Sequence, residues 1–143
     1  MIVDNTLVLS DSQAVTATAR STNIIDLAAA GTPWGATNPV RRDIGIATEI
    51  PLLIEITEAF NNLTSLTFQI EVDDDPAFGS PTIVAVSKAV PLASLTLGAR
   101  IVFPAELPEG TNERFLGLRY TVAGSAPTLG KVFAAIVAGV QTN

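Results

Sequence analysis

Strict alternation of apolar and polar residues is the feature that most limits how this chain can fold. It is clearest in SLTFQIEV at 65–72, where every second side chain is apolar. A period of two places the apolar set on one face of a β-strand and the polar set on the other. The stretch therefore predicts a strand whose core-facing residues are Leu66, Phe68, Ile70 and Val72.

The same pattern recurs along the chain, in which 41 of 143 residues are Val, Ile or Thr. Such β-branched side chains favour pleated strands. Two further strands are predicted at 50–57, with Ile50, Leu52, Ile54 and Ile56 inward, and at 114–122, with Leu116, Leu118, Tyr120 and Val122 inward. Shorter candidates are 13–19, 22–27, 81–88, 99–103 and 131–140.

Turn-forming residues separate these segments, as at Asp75 and Pro76 and again at 107–110. No segment has a convincing helical period, although AFNNL at 59–63 could form one short helical turn. About eight short strands punctuated by Gly and Pro predict an all-β fold, an antiparallel β-sandwich, and their number favours a jelly roll. The length predicts one such domain over 1–143.

Composition excludes several kinds of function. The chain has no Cys and no His, which removes disulfides, thiolate catalysis, the usual zinc ligands and histidine acid–base pairs. A net charge of −6 argues against a nucleic-acid partner. The longest apolar run, at 132–140, is far shorter than the ~18 residues of a membrane helix, and no secretory signal opens the chain. We therefore expect no enzyme, no cofactor, no membrane contact and no export.

The surface is expected to carry few charges. Charged residues make up 15% of the chain, against about 25% in ordinary domains, and the mean hydropathy is +0.42. Small apolar residues must then lie on the outside, where they promote association. This balance predicts that other protein covers much of the surface.

Acidic residues cluster in EVDDDPAFGSP at 71–81. Alternation places Glu71, Asp73 and Asp75 on the strand face that Gln69 marks as solvent-facing. A calcium loop needs Gly at its sixth position and Glu at its twelfth, and this stretch has neither. The pattern therefore predicts a strand that ends in a type I turn, with Phe78 returning toward the core and no bound metal. Likewise, GSAPTLGKV at 124–132 lacks the spacing of a phosphate loop and is predicted to be a hairpin loop.

A long loop is predicted at about 28–48, because this stretch lacks alternation and is interrupted by Gly and Pro. Loops of this length in compact domains are usually functional or disordered. It holds the sole Trp, Trp34, and the sole adjacent basic pair, Arg41 and Arg42, which are residue types enriched at binding hot spots. We predict that these residues contact a partner; alternatively, Trp34 caps one end of the sandwich and the arginines are solvated.

The last predicted strand is apolar on both of its faces, with Val132, Ala134 and Ile136 on one and Phe133 and Val137 on the other. A strand that is apolar on both faces is covered on both. Either a loop or a neighbouring subunit must therefore cover the second face. We accordingly count Phe133 and Val137 among the candidate partner contacts.

Much of the chain resembles the jelly-roll cement (decoration) proteins of tailed-bacteriophage heads. The resemblance is carried by MIVDNTLVLSDSQAVTATA, STNIIDLAAAGT, RRDIG, IPLLIEITEAF and LPEGTNERFLGLRYTVAGSAPTLGKVFAAIVAGVQTN, and TNERFLGLRYTVAG is its most specific part. It implies a structural virion protein, made in the host cytoplasm, that binds the outer surface of the head and bridges major capsid subunits. It also implies a homo-oligomer, a dimer or trimer on the symmetry axes of the shell.

A second reading is the β-sandwich head of a tail fibre, a receptor-binding protein that would recognise glycans. Glycan grooves usually present several aromatic side chains, and only eight aromatic residues occur here, most of them in strands. We therefore expect the cement protein rather than the fibre. The copy number per virion separates the two.

Overall fold

The computed structural model describes residues 3–40, 42–43, 49–103 and 106–139. These residues form nine β-strands: β1 (Val3–Ala14), β2 (Ala19–Arg20), β3 (Ile25–Asp26), β4 (Leu52–Glu58), β5 (Leu63–Asp73), β6 (Thr82–Val86), β7 (Val90–Pro91), β8 (Phe115–Gly124) and β9 (Lys131–Val137). One 3-10 turn, Leu92–Ser94, follows β7. None of the described segments forms a helix with the length and apolar character needed to cross a membrane.

The strands form two antiparallel sheets. The smaller has the order β1-β9-β4, and the larger has the order β2-β8-β5-β6, with β3 also beside β8 and β7 also beside β5. Residues 98–101 extend the smaller sheet beyond β4, because Ile101 N–H donates to the Ile54 carbonyl at 2.9 Å and Ile56 N–H donates to the Ala99 carbonyl at 2.9 Å.

The connectivity is that of a jelly roll. We count β2 with β3, and β6 with β7, as single interrupted strands, and we include the segment 98–101. Eight consecutive segments then lie in the orders 1-8-3-6 and 2-7-4-5, the two four-stranded sheets of this fold. The predicted antiparallel all-β sandwich is confirmed.

The core lies between the sheets and draws on both of them. The side chains predicted to face inward on β5 are all fully buried: Leu66, Phe68, Ile70 and Val72. Those predicted for β4 and β8 also line the core, with Ile50 and Val122 at its edge. Each large apolar side chain buried in this way contributes about 1.5–3 kcal/mol, so the alternating segments supply most of the driving force for folding.

The N-terminal strand differs from its prediction. A strand was expected at 13–19, whereas β1 runs over Val3–Ala14 and the chain turns at 16–18. Register shifts interrupt the pairing of β1 with β9, and the consecutive residues Val8, Leu9 and Ser10 are all buried. Such irregularities break the alternation that would reveal a strand in the sequence.

Other boundaries shift by smaller amounts. The predicted strand 22–27 shortens to Ile25–Asp26. The predicted strand 99–103 corresponds to the segment 98–101, which bonds to β4 and has an isolated bridge at Arg100. The predicted strand 81–88 becomes Thr82–Val86, and 131–140 becomes Lys131–Val137, with residue 140 outside the described part. The helical turn suggested at 59–63 is wrong, because Asn62 has a φ of 63° and the chain bends there from β4 into β5.

The loop between β8 and β9 is not the predicted hairpin, because these strands lie in different sheets. It crosses from one sheet to the other, and Asn61 holds it in place. The Asn61 Oδ1 accepts the N–H groups of Thr128 at 2.8 Å and Leu129 at 3.0 Å, while its Nδ2 donates to Thr128 Oγ1 at 2.8 Å. One amide side chain thus fixes the crossover.

Candidate functional site

The predicted long loop joins β3 to β4, and its described residues form neither strand nor helix. Its tip is folded on itself, since Ala36 N–H donates to the Pro33 carbonyl at 3.0 Å and Val40 N–H donates to the Gly31 carbonyl at 2.9 Å. Gly35 has a φ of 81°, a conformation that favours glycine. The tip is therefore an ordered turn.

Trp34 lies at this tip with its side chain fully in solvent, at 103% relative exposure. Val40 in the same loop is 55% exposed. Trp34 therefore does not cap the end of the sandwich, which was the alternative placement. A Trp held outward on an ordered turn is available to bury a large area against another molecule.

Arg42 binds other segments of the chain, and its predicted contact with a partner stays a prediction. Its side chain donates to Asp74 Oδ1 at 3.4 Å and to the Ala28 carbonyl at 3.3 Å, and its backbone N–H donates to Asn112 Oδ1 at 3.1 Å. These bonds tie the loop to the turn after β5 and to the segment before β8. Arg42 is thus positioned to fix the loop on the sandwich. Arg41 lies outside the described residues.

Further polar contacts secure the base of the loop. Asp43 accepts the N–H groups of Gly110 at 3.0 Å and Thr111 at 3.3 Å. Asp26 and Arg114 form two parallel hydrogen bonds, each 2.9 Å long. The Arg114 guanidinium, more than any other group, lowers the pKa of the Asp26 carboxyl below its usual value. The loop tip therefore projects from a well-braced base.

The acidic side chains at the end of β5 and in the turn after it bind neighbouring parts of the chain. Asp73 accepts the N–H groups of Asp75 at 2.9 Å and Ser80 at 3.0 Å. Asp74 accepts Arg114 N–H at 3.1 Å as well as the Arg42 guanidinium. A turn follows as predicted, since Phe78 N–H donates to the Asp75 carbonyl at 2.9 Å. Most of these carboxylates thus close turns and hold neighbouring segments.

The prediction that Glu71 and Asp73 face solvent is wrong. Glu71 lies on the predicted outer face of β5, yet only 2% of its side chain is exposed, and Asp73 is also buried. Glu71 binds Arg20 on β2 and Arg119 on β8, and the buried Phe78 lies beside them. The ion pairs and the turn cover a face that alternation alone would leave open.

The outer face of β9 is filled from within the chain. Ala135 and Val137 are buried there with Val8 and Leu53, and the half-buried Phe133 packs against them. Val137 is only 3% exposed, so Phe133 presents more of this cluster to the outside. The cluster is therefore buried within the chain itself, and Val8 and Leu53, the cross-strand partners of Ala135, share this face of the sheet.

Large apolar side chains are exposed elsewhere, in agreement with the charge-poor composition. They lie in the long loop, on β6 and in several other loops: Trp34, Val40, Ile83, Val86, Leu97, Val102 and Leu129. Val86 also borders an apolar groove of about 410 Å³ formed with Val90, Ile101 and Phe103. Single exposed apolar residues are ordinary, but this small domain exposes several large ones.

Fold and surface together define a jelly-roll β-sandwich with a braced, outward-pointing loop. The family model Bbp16 matches residues 9–136, nearly the whole sandwich. The chain therefore belongs to the Bbp16 family. No curated protein matches it.

The sequence singled out Trp34 as a candidate partner contact through its rarity and its place in a long loop. It missed the pairing of Arg20 and Arg119 with Glu71. Arg20 lies 51 residues before Glu71, and Arg119 lies 48 residues after it. Only the strand register brings the three together, although the charged positions within two alternating strands were a signal that such a pairing could exist.

Proposed function

We propose that this protein is a cement (decoration) protein of a tailed-bacteriophage head. It binds the outer surface of the shell, bridges neighbouring major capsid subunits and performs no catalysis. The sequence resemblance over most of the chain supports this role, and the jelly-roll sandwich agrees with it. Self-association into a dimer or trimer belongs to the same proposal, because such oligomers fit the local symmetry of a shell.

The observation that carries the proposal is the exposure of Trp34. An aromatic side chain wholly in water on an ordered turn has no structural task in the isolated chain. Trp is among the residues that contribute most to protein interfaces. The braced base of the loop reduces the entropy lost when that side chain is buried against a partner. A protein surface, rather than a small substrate, fits this arrangement.

The mechanism is stabilisation by mass action. A ligand that binds the assembled lattice better than free subunits stabilises the lattice, by an amount that grows with the logarithm of the ligand concentration relative to its Kd. Many weak contacts on one shell then oppose the pressure of the packaged DNA. Neither step needs a nucleophile, a metal or a cofactor, in keeping with a chain that lacks Cys and His.

The test is to add purified protein to heads that lack it and to count bound copies. We expect hundreds of copies per particle and DNA release at a higher temperature. Equal thermal and osmotic stability with and without bound protein would contradict the proposal.

The alternative, a receptor-binding head of a tail fibre, is favoured by one feature. A polar cleft of about 450 Å³ lies between β1 and the segment before β3, with amide and hydroxyl side chains in its lining: Asn5, Thr6, Thr22 and Asn23. Such groups suit sugar hydroxyls, but no aromatic residue lines the cleft. Only a few or tens of copies per virion, together with glycan binding by the purified protein, would favour this alternative.

A further inference from the structure

The outer face of the six-stranded sheet carries an unusual ion cluster. Arg20 Nε lies 3.2 Å from Glu71 Oε2, and Arg119 Nε lies 2.5 Å from Glu71 Oε1. The carboxylate is 2% exposed, whereas the two arginine side chains are 22% and 32% exposed. The ring of Phe78 stacks under Arg20, with the guanidinium carbon 4.3 Å from the ring centroid. The cluster thus presents two guanidiniums outward over a buried anion.

Two guanidiniums share one carboxylate in this cluster, so they do not each have a carboxylate partner of their own. The other ion pairs between described residues are Arg42 with Asp74, Arg100 with Glu55, Arg114 with Asp26 and Lys131 with Glu58. Asp73, the next carboxylate on this face of β5, accepts the backbone N–H groups of Asp75 and Ser80, so among the described residues Glu71 is the one carboxylate that pairs with these two guanidiniums.

The two arginines also retain donors. Each uses its Nε toward Glu71, and no acceptor in the described segments contacts the terminal nitrogens of Arg20 or Arg119. A planar guanidinium presents its terminal N–H groups in a fixed fork that matches a carboxylate. Glu71 binds both arginines, and Phe78 lies against Arg20, so less side-chain entropy is lost when a partner binds.

Exposed apolar residues lie beside the arginines on the same face. Direct partners in an antiparallel sheet share a face, and the pairs Glu71 with Ile83 and Gln69 with Val86 place Ile83 and Val86 there. Ile83 is 50% exposed and Val86 is 51% exposed. The row Arg20, Arg119, Gln69, Val86 crosses four strands, a width of roughly 14 Å at the usual strand spacing.

We infer that this face is a second docking surface, on which Arg20 and Arg119 bind a carboxylate side chain of the major capsid protein while Ile83 and Val86 pack against apolar side chains beside it. The identity of the partner rests on the proposed function. A second carboxylate would give each of the two guanidiniums a carboxylate partner.

The surface also continues toward the long loop. Asp74 directly follows the last residue of β5, three positions after Glu71, and binds Arg42 at the base of that loop. A partner that contacts Trp34 could therefore extend onto the sheet face. Strands provide a more rigid platform than loops, which suits a contact that must be repeated identically over a shell.

The experiment compares conservative variants that keep the fold. Arg119→Lys preserves the positive charge beside Glu71 but removes the fork, and Val86→Thr keeps the shape of an exposed strand residue while adding a hydroxyl. Arg100→Lys is the matched control, since Arg100 pairs with Glu55 on the other sheet. Each variant is checked by urea denaturation and then titrated onto heads that lack the protein.

We expect Arg119→Lys to bind heads at least about tenfold more weakly, Val86→Thr to bind measurably more weakly, and Arg100→Lys to bind like the parent. Full decoration by both Arg119→Lys and Val86→Thr would overturn this inference and leave the proposed function intact. Failure of the parent to bind heads would overturn both. If Arg119→Lys instead abolishes self-association in solution while binding heads normally, the partner on this face is a second copy of the chain, and the assignment to the capsid protein is wrong.

Discussion

The hydroxyl oxygens of Tyr120 and Ser10 lie 2.7 Å apart in the core and join the two sheets of the sandwich. Tyr120 is on β8 and Ser10 is on β1, 110 residues away. The Ser10 hydroxyl donates its proton to Gln13 Oε1 at 2.7 Å, so Tyr120 must donate to Ser10. Burial raises the pKa of Tyr120 well above its usual value, which keeps this donor protonated.

Removing either end of this contact should destabilise the fold, but unequally. Ser10→Ala leaves the buried Tyr120 hydroxyl without its acceptor and should cost about 1–3 kcal/mol, whereas Tyr120→Phe should cost only about 0.5–1.5 kcal/mol. In the Phe variant Ser10 still donates to Gln13. Urea denaturation monitored by circular dichroism would measure both costs.

The double variant tests the same contact. Because Ser10→Ala and Tyr120→Phe disrupt one shared bond, their combined effect should be smaller than the sum of the single effects. Strict additivity, or a larger cost for Tyr120→Phe, would show that the hydroxyl pair does not connect the sheets energetically.

Removal of a buried charge should destabilise the fold more than removal of a half-exposed one. Glu71→Gln removes the carboxylate that holds Arg20 and Arg119, and breaking a buried pair from one side is strongly destabilising, here about 2 kcal/mol or more. Glu55→Gln, which breaks the half-exposed pair with Arg100, should change stability by about 1 kcal/mol or less. Similar unfolding midpoints for the two variants would contradict the structural importance of the Glu71 cluster.

The two faces of β5 show what the sequence could predict and what it could not. The inward residues of β5 could be predicted because alternation and burial have the same cause, the two-sided geometry of a strand. Alternation also placed Glu71 on the correct face. It could not reveal what covers that face, because Arg20, Arg119 and Phe78 arrive through sheet register and a turn. Trp34 was identified by composition, but its full exposure required the structure.

The acid response of stability should depend on Asp26. Its folded pKa is lowered below 3.8, chiefly by the hydrogen bond from Arg114. The unfolded chain therefore binds this proton more readily than the folded chain does. The pair stabilises the fold at pH values above the unfolded pKa of Asp26, and this stabilisation is lost as the pH falls through the folded pKa. Asp26→Asn should accordingly lose less stability than the parent on acidification, as measured by urea midpoints at several pH values.

Glu113 provides a control of opposite sign. Burial, and then the neighbouring Asp74 carboxylate, raises the pKa of Glu113 above 4.5. The folded chain then binds this proton more readily, so acidification through the folded pKa stabilises the protein. Glu113→Gln removes that gain and should lose more stability than the parent over the same pH range. Identical acid responses of the parent and both variants would refute this assignment of the two carboxyls.

A substitution at Trp34 should weaken binding to heads without changing the stability of the fold. Its side chain is fully exposed, so Trp34→Ala should leave the urea midpoint within about 0.5 kcal/mol of the parent. Truncation of a binding hot spot should cost about 2 kcal/mol or more of binding, roughly a thirtyfold loss per site. The matched control is Leu129→Ala, which removes another exposed apolar side chain, 54% accessible, from the crossover between β8 and β9. We expect Trp34→Ala to leave heads undecorated on dilution while Leu129→Ala decorates them fully. If both variants fold and decorate heads as the parent does across the dilution series, Trp34 is not the anchor, and the exposed turn has another purpose.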